Sequence, residues 1–440
     1  MTNLFIANVR ADYPDSVRTK ADLIDGTAVG SDTTSRFLWH ASAGDVVVLP
    51  ERMVPHYASY VDEMLRMPQD ALRIIEYGGL LTDEALLDSA TFDAIKEAVG
   101  QKGDVVVQPF VHTRGTVELA RLLGASEGPG ASFAHENGVD LLNSKANFRK
   151  LAAGVGLPIA PGRVARSERE LSDELRRLQG LGCPLIAKHD HAGGGHGNII
   201  LSPKSASRSK LPGARRFLDL EDSAEKLARE LWNELTDNSY SMVTLEVYME
   251  SRERFYLEYD LTGRVPHLVS TGSIRYSEHA TDVPPKWTGL DVPFNLDAVG
   301  GSSAVSQGQL IVSAVHALGY RGMLNLDGIT TLEGELVFQE VNARWGGGLV
   351  YDVIARRLLG ESYSRTHVLR SLLDLPTMDH VELQRRLTAA GVHYSHERKE
   401  GALILASRSD LGGGAEILLI ASRDRGPGEV ETKVREVLTS

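Results

Sequence analysis

The sequence predicts a chain of several units that mixes α/β with α+β architecture. Three observations carry this expectation. Short β-rich runs alternate with helical periodicity over the first third, the second half is β-rich, and an apolar hairpin of separate character closes the chain. At about 150 residues per domain, 440 residues correspond to roughly three domains. Hydrophobic residues make up 42% and charged residues 24%, which fits a globular chain with sizeable cores and excludes a fibrous or disordered one.

In the first third, Leu4–Ala7, Val46–Leu49, Leu72–Ile75 and Val105–Gln108 read as buried strands. Val54–Met67 and Asp83–Val99 read as amphipathic helices between them, and this order predicts a parallel sheet. No GxGxxG follows the first strand, where Ile6 to Asp12 stand instead, so a dinucleotide site is not expected. Ser144 is a candidate N-cap for a helix from Lys145 to Gly154, which Gly156 and Pro158 bring to a stop. A helix over Ser167–Leu178 leads to the strand Pro184–Lys188, a glycine loop and the strand Asn198–Leu201. Ser202–Arg216, rich in Ser, Pro, Lys and Arg, reads as an exposed insert, followed by a helix over Glu221–Leu235 and a strand over Met242–Tyr248.

Four further strands are expected at Arg254–Leu261, His267–Ile274, Gly322–Thr330 and Glu335–Val341, with a helix over Val305–Leu318 between them. Helices are expected around Tyr351–Leu373. Ala402–Ser407 and Glu416–Ser422, joined through Asp410–Gly414, read as a hairpin, and Glu429–Leu438 as a last helix.

The balance of 47 basic against 59 acidic residues, net −12, makes nucleic acid and anionic lipid poor partners, so positive charge for an anionic ligand must be local. The single cysteine, Cys183, excludes a disulfide framework and CxxC metal sites. Met1–Arg10 has no leader pattern and no apolar run approaches a bilayer span, so the expectation is a cytoplasmic protein.

Two constellations point to chemistry. Lys188 closes an apolar strand, and Gly193, Gly194, Gly195 and Gly197 follow; without Cβ atoms these let backbone N–H groups approach phosphate oxygens. A flexible turn is the competing reading. His189, His191 and His196 lack the fixed spacing of a metal cage. Farther on, strands flanking the turn Leu332–Gly334 set Asp327 opposite Glu340 and Thr330 opposite Val337. Two facing carboxylates call for a cation between them, Mg²⁺ suits hard oxygen donors, and the Asn342 amide lies on the same face with Arg344 beyond it. A solvated surface hairpin is the competing reading. The alternating run Thr244–Glu250 has the edge and apolar neighbours an adenine ring needs, as does any half-buried strand.

Taken in order, these residues resemble the ATP-grasp superfamily over roughly residues 140–380, most sharply at Glu340–Arg344. The resemblance implies ATP held between two subdomains, with Lys145 and Lys188 on its phosphates and Gly193, Gly194, Gly195, His196 and Gly197 as a lid. It implies adenine at Glu246, Val247, Tyr248 and Met249, ribose at Glu253, and Mg²⁺ at Asp327, Glu340 and Asn342. Lys188 and Arg344 then act in catalysis. Asn325 stands where some members carry an arginine, which makes Arg275, with Lys286 behind it, the candidate replacement.

The layout is similar to peptide ligases of the pheganomycin type. It implies a Rossmann-like pre-ATP-grasp unit over 1–140, a two-subdomain core over 141–385 with its lid at about 180–245, and a small α+β unit over 386–440. The implied reaction makes an acyl phosphate from a small carboxylic acid and ATP, then an amide with an amine or peptide N-terminus. A kinase, a carboxylase or a non-catalytic ATP binder on the same scaffold is the alternative, and a homodimer is a candidate assembly. A guanidino acid as substrate would look to Tyr256, Glu258 and Tyr276.

Overall fold

The computed structural model describes residues 1–9, 34–100, 105–125, 130–236, 241–294, 301–373, 375–376, 378–407 and 414–439. Strands β1 (Thr2–Ile6), β2 (Val46–Leu49), β3 (Arg73–Glu76) and β4 (Val105–Pro109) form a parallel sheet in the order β3-β2-β1-β4. Every residue of β2 is buried, as a parallel strand covered on both faces requires. The helix expected over 83–99 is two helices, Asp83–Leu87 and Ser89–Val99, because the Asp88 carboxylate accepts from the N–H groups of Ala90 and Thr91 and starts a second helix. The helix expected from Val54 begins only at Tyr57, after Pro55 and a left-handed His56.

The next unit is a sheet of β5 (Gly162–Ala165), β6 (Leu185–His189), β7 (Asn198–Ser202), β8 (Arg216–Asp219) and β9 (Val243–Val247), in the order β5-β9-β6-β7-β8. Helices Glu168–Gln179 and Ala224–Leu235, capped by Ser167 and Ser223, bury Leu171, Leu175, Leu227 and Leu231 against it in a core of their own. Residues 202–216 are not the exposed insert that their composition suggests. Leu211 is buried, and the Pro212 and Gly213 carbonyls accept hydrogen bonds from Tyr248 (2.9 Å) and Asn198 (2.8 Å).

The third sheet has eight strands: β10 (Ser251–Asp260), β11 (His267–Tyr276), β12 (Trp287–Val292), β13 (Met323–Thr331), β14 (Leu336–Asn342), β15 (His367–Leu372), β16 (Gly401–Ser407) and β17 (Ala415–Ser422). Their order is β14-β13-β10-β11-β12-β15-β17-β16. The helix expected through Leu373 stops at Leu359, where Gly360 turns with φ +96°, and His367–Leu372 is a strand instead. Arg370 on β15 makes a paired bridge of 2.7 Å and 2.7 Å to Asp291 on β12, which holds this strand in register.

Through β15 the tail hairpin joins the same sheet. Its turn, apart from Gly414, lies outside the described residues. Leu403, Leu405 and Leu419 of the hairpin share one core with Phe37, Trp39 and Tyr57 from the first unit. The mixed α/β and α+β class stands. No helix among the described residues is long and apolar enough to cross a membrane.

Candidate active site

A cavity of about 370 Å³ opens between the five-stranded and eight-stranded sheets and runs on to the first unit. The size is ordinary for a small-molecule site. Its floor is the β14–β13–β10 face of the large sheet. Asp327 pairs with Glu340 across β13 and β14 and with Tyr256 across β10, while Asn325 pairs with Asn342 and Glu258. The expected partnership of Thr330 with Val337 does not form. A bulge after Asp327 shifts the register, so that Thr330 faces Leu336 and Gln339 is the extra residue. The turn-side register therefore slips while the acid pair keeps its place.

The two carboxylates behave differently. Burial and the neighbouring Glu340 charge push the Asp327 carboxyl well above the usual carboxylate range. Burial would raise Glu340 too, but Lys145, with Lys188 and Arg344, holds it below that range. Lys145 Nζ lies 3.1 Å from Glu340 Oε2 and also donates to the Ala192 carbonyl. The Asn342 amide nitrogen sits 3.5 Å from both Asp327 Oδ2 and Glu340 Oε1, and its oxygen accepts from Arg344 Nη2 at 3.0 Å. As a cation ligand Asn342 would need a half-turn of its amide.

The opposite wall comes from the small sheet. Lys188, at the end of β6, pairs with Glu246 on β9 at 2.6 Å, and Arg149 holds the other Glu246 oxygen. The Glu246 side chain is thereby engaged as an anchor for cations. Lys145 starts the helix Lys145–Val155 one turn before Arg149, so both point the same way. That helix start is pinned to the glycine loop: Ser144 Oγ donates to Asp190 Oδ2 (2.8 Å), and Ala146 N–H donates to Asp190 Oδ1 (2.8 Å). The loop is a hydrogen-bonded turn, with His189 N–H to Gly197 (2.8 Å) and Asn198 N–H to Gly195 (3.0 Å). A Cβ at Gly197 would sit 2.4 Å from Ala192 Cβ, so packing excludes a side chain there.

The cavity brings together Lys145, Lys188, Gly194, Gly195, Glu246, Val247, Tyr248, Met249, Asp327, Glu340, Asn342 and Arg344. It does not include Gly193, His196, Gly197, Glu253, Arg275 or Lys286. Alternation explains two of these corrections. Arg254 and Tyr256 on β10, and Ile274 and Tyr276 on β11, face the cavity, which turns Glu253 and Arg275 to the other side. There Arg275 donates to the Ser371 carbonyl at 2.7 Å and lies 3.4 Å from Asp291. Arg254, missed from sequence though two residues before Tyr256, lines the cavity and stacks 5.5 Å from the Tyr276 ring centre.

Glu258 does not reach the cavity either. Fully buried, its carboxylate accepts from the Gly346 N–H at 2.8 Å and from Asn325 at 3.3 Å, and burial raises it to about 7. Two small apolar clusters flank the Tyr248–Met249 end, Ile186, Ile200 and Leu211 on one side and Ala160, Ile329 and Val337 on the other. His191 pairs with Asp190 and Asp140, and no group of three metal-binding side chains occurs among the described residues.

Residues 34–125 match the family model of the pre ATP-grasp domain. No curated protein sequence matches the chain significantly. Among solved structures, the N5-carboxyaminoimidazole ribonucleotide synthetase of Thermus thermophilus is 14% identical with a TM-score of 0.56, over 100% of this chain and 99% of that one. An enzyme of the same kind from Aspergillus clavatus, in complex with ADP and its aminoimidazole ribonucleotide, is 12% identical with a TM-score of 0.56 over 100% and 98%. The L-amino acid ligase of Bacillus licheniformis is 14% identical with a TM-score of 0.53 over 99% and 97%. Residues 34–125 therefore match a pre ATP-grasp domain, and the chain as a whole shares its fold with these synthetases and this ligase.

Proposed function

We propose that this protein is an ATP-dependent, ADP-forming ligase that joins a carboxylic acid to an amine. One observation carries the reading: a facing acid pair, Asp327 and Glu340, lies against the buried ammonium of Lys145 within a cavity that Lys188 and Arg344 also line. The solved ligases of the same fold support it. Adenine would lie between the two apolar clusters beside Tyr248 and Met249, where the chain leaves the end of β9. Lys145 and Lys188 then meet the phosphates, and the Gly194 and Gly195 turn covers them. Arg254, in place of Arg275, supplies the cation that Asn325 lacks.

Asp327 and Glu340, with the turned Asn342 amide, form a hard-oxygen donor set that fits Mg²⁺ and would hold it there. Bound magnesium would neutralise charge on the phosphoryl oxygens. The substrate carboxylate oxygen attacks the γ-phosphorus and the bond to the ADP oxygen breaks, with the two lysines countering the charge. Arg344 holds the acyl phosphate, and an amine displaces phosphate to form the amide. A peptide N-terminus as that amine, as in pheganomycin-type ligases, is the finer form of the proposal.

ADP release measured over pooled acids with and without amines tests it. Release that requires both co-substrates, and falls at least 100-fold in folded Lys188→Ala and Glu340→Ala, is the expected result. Release that needs one acceptor only would make the protein a kinase and overturn the ligase reading.

A further inference from the structure

We infer that the end of the cavity beyond Arg344 is a side-chain pocket for an acid with a large uncharged flank, aromatic or aliphatic. The inference rests on the proposed ligase reading and adds the substrate class. Glu340 and Asn342 share one face of β14, and Arg344 and Trp345 follow just past its end, on the side of the cavity away from the acid pair's lysines. The first unit is stitched to this point: Val111 bridges Arg344, and Trp345 N–H donates to the Phe110 carbonyl. Trp345 stacks on Phe37 at 5.0 Å and meets His40 at 4.4 Å, and Phe110 lies edge-on to Phe37 at 6.0 Å. All four rings line the cavity.

Charge at this end is one-sided. Arg344 stands over the Phe110 ring at 5.3 Å, placed for a carboxylate or acyl phosphate at the mouth of the aromatic wall. The Arg36 charge is answered by Glu416 at 3.0 Å, and burial keeps the His40 ring neutral. The lining carboxylates among the described residues are Glu246, Asp327 and Glu340, all at the nucleotide end. Among the described residues, a guanidinium or ammonium flank would meet rings with no carboxylate counter-ion, and Glu258 is sealed behind Gly346. Rings that offer area at little entropic cost suit an aromatic or branched aliphatic flank.

The test uses the full chain with MgADP and, as probes, 3-phenylpropionate, L-phenylalanine, L-arginine and L-glutamate. Calorimetric binding should favour the first two at least tenfold over the last two. Trp345→Phe and Phe110→Leu, which preserve bulk, should weaken 3-phenylpropionate at least fivefold while the ADP affinity stays within twofold. Equal binding of arginine, or no binding of the apolar acids, overturns the pocket. Trapping with hydroxylamine in the presence of ATP separates the two claims. Tight 3-phenylpropionate binding without ADP or hydroxamate formation would sink the ligase reading and leave the pocket standing.

Discussion

The contact between Gly346 and Glu258 yields a sharp prediction. A Cβ on Gly346 would sit 2.1 Å from Glu258 Oε2 and 2.8 Å from Asn325 Nδ2, although the backbone there is not left-handed. Gly346→Ala therefore acts through collision alone. Relief requires a fully buried carboxylate to give up its 2.8 Å bond from the Gly346 N–H. Overpacking costs about 1–3 kcal/mol and leaving a buried hydrogen-bonding group unpaired about 1–3 kcal/mol, so the expected loss is about 2–6 kcal/mol. Glu258→Ala removes the nearest obstructing atoms and releases the Asn325 amide that Glu258 holds, so Gly346→Ala in that background should cost less than about 1 kcal/mol. Urea unfolding, followed by the fluorescence of Trp39 and Trp345 in the shared core, measures all four corners of the cycle. Additivity within about 0.5 kcal/mol would show that the two groups do not press on each other, and the reasoning about this turn would fail.

Other expectations follow from the same geometry. Lys188→Met should lower turnover at least 100-fold yet cost only about 1–3 kcal/mol, because Arg149 still answers Glu246; thermal melts beside ADP assays separate the two effects. ATP should raise the melting temperature by several degrees with Mg²⁺ and by less than about one degree in EDTA, and Asp327→Asn should abolish the difference. His191 is raised to about 9 despite burial by its hydrogen bonds to Asp140 and Asp190. Its folded value exceeds the unfolded one, so its contribution of up to about 3 kcal/mol is complete below about pH 6.5 and is lost as pH rises through about 9. Melting curves of His191→Asn should lack that decline.

Much of the site was legible because strand periodicity and a short turn place residues rigidly. Asp327 met Glu340 as the hairpin implied, even though one extra residue at Gln339 displaced the rest of the register. The capping signal at Ser144 marked a helix start that the structure repeats, whereas the helix expected from Glu221 starts only at Ala224, behind the cap Ser223. Facing was harder to read. Glu253 and Arg275 carry the right chemistry on the wrong side of their strands, and Arg254 would have emerged from counting by twos from Tyr256. Long-range partners left no local trace: neither the Asp291–Arg370 bridge that makes a strand of His367–Leu372 nor the meeting of Phe37 with Trp345 is visible in a linear pattern.

The first and last segments of this chain interlock. Stopping translation before Gly401 would bare one edge of β15 and strip the leucine cover from Trp39 and Tyr57, hundreds of residues upstream. The five-stranded sheet buries leucines of its own in a separate core. Recombination among such chains has to exchange both ends as a set.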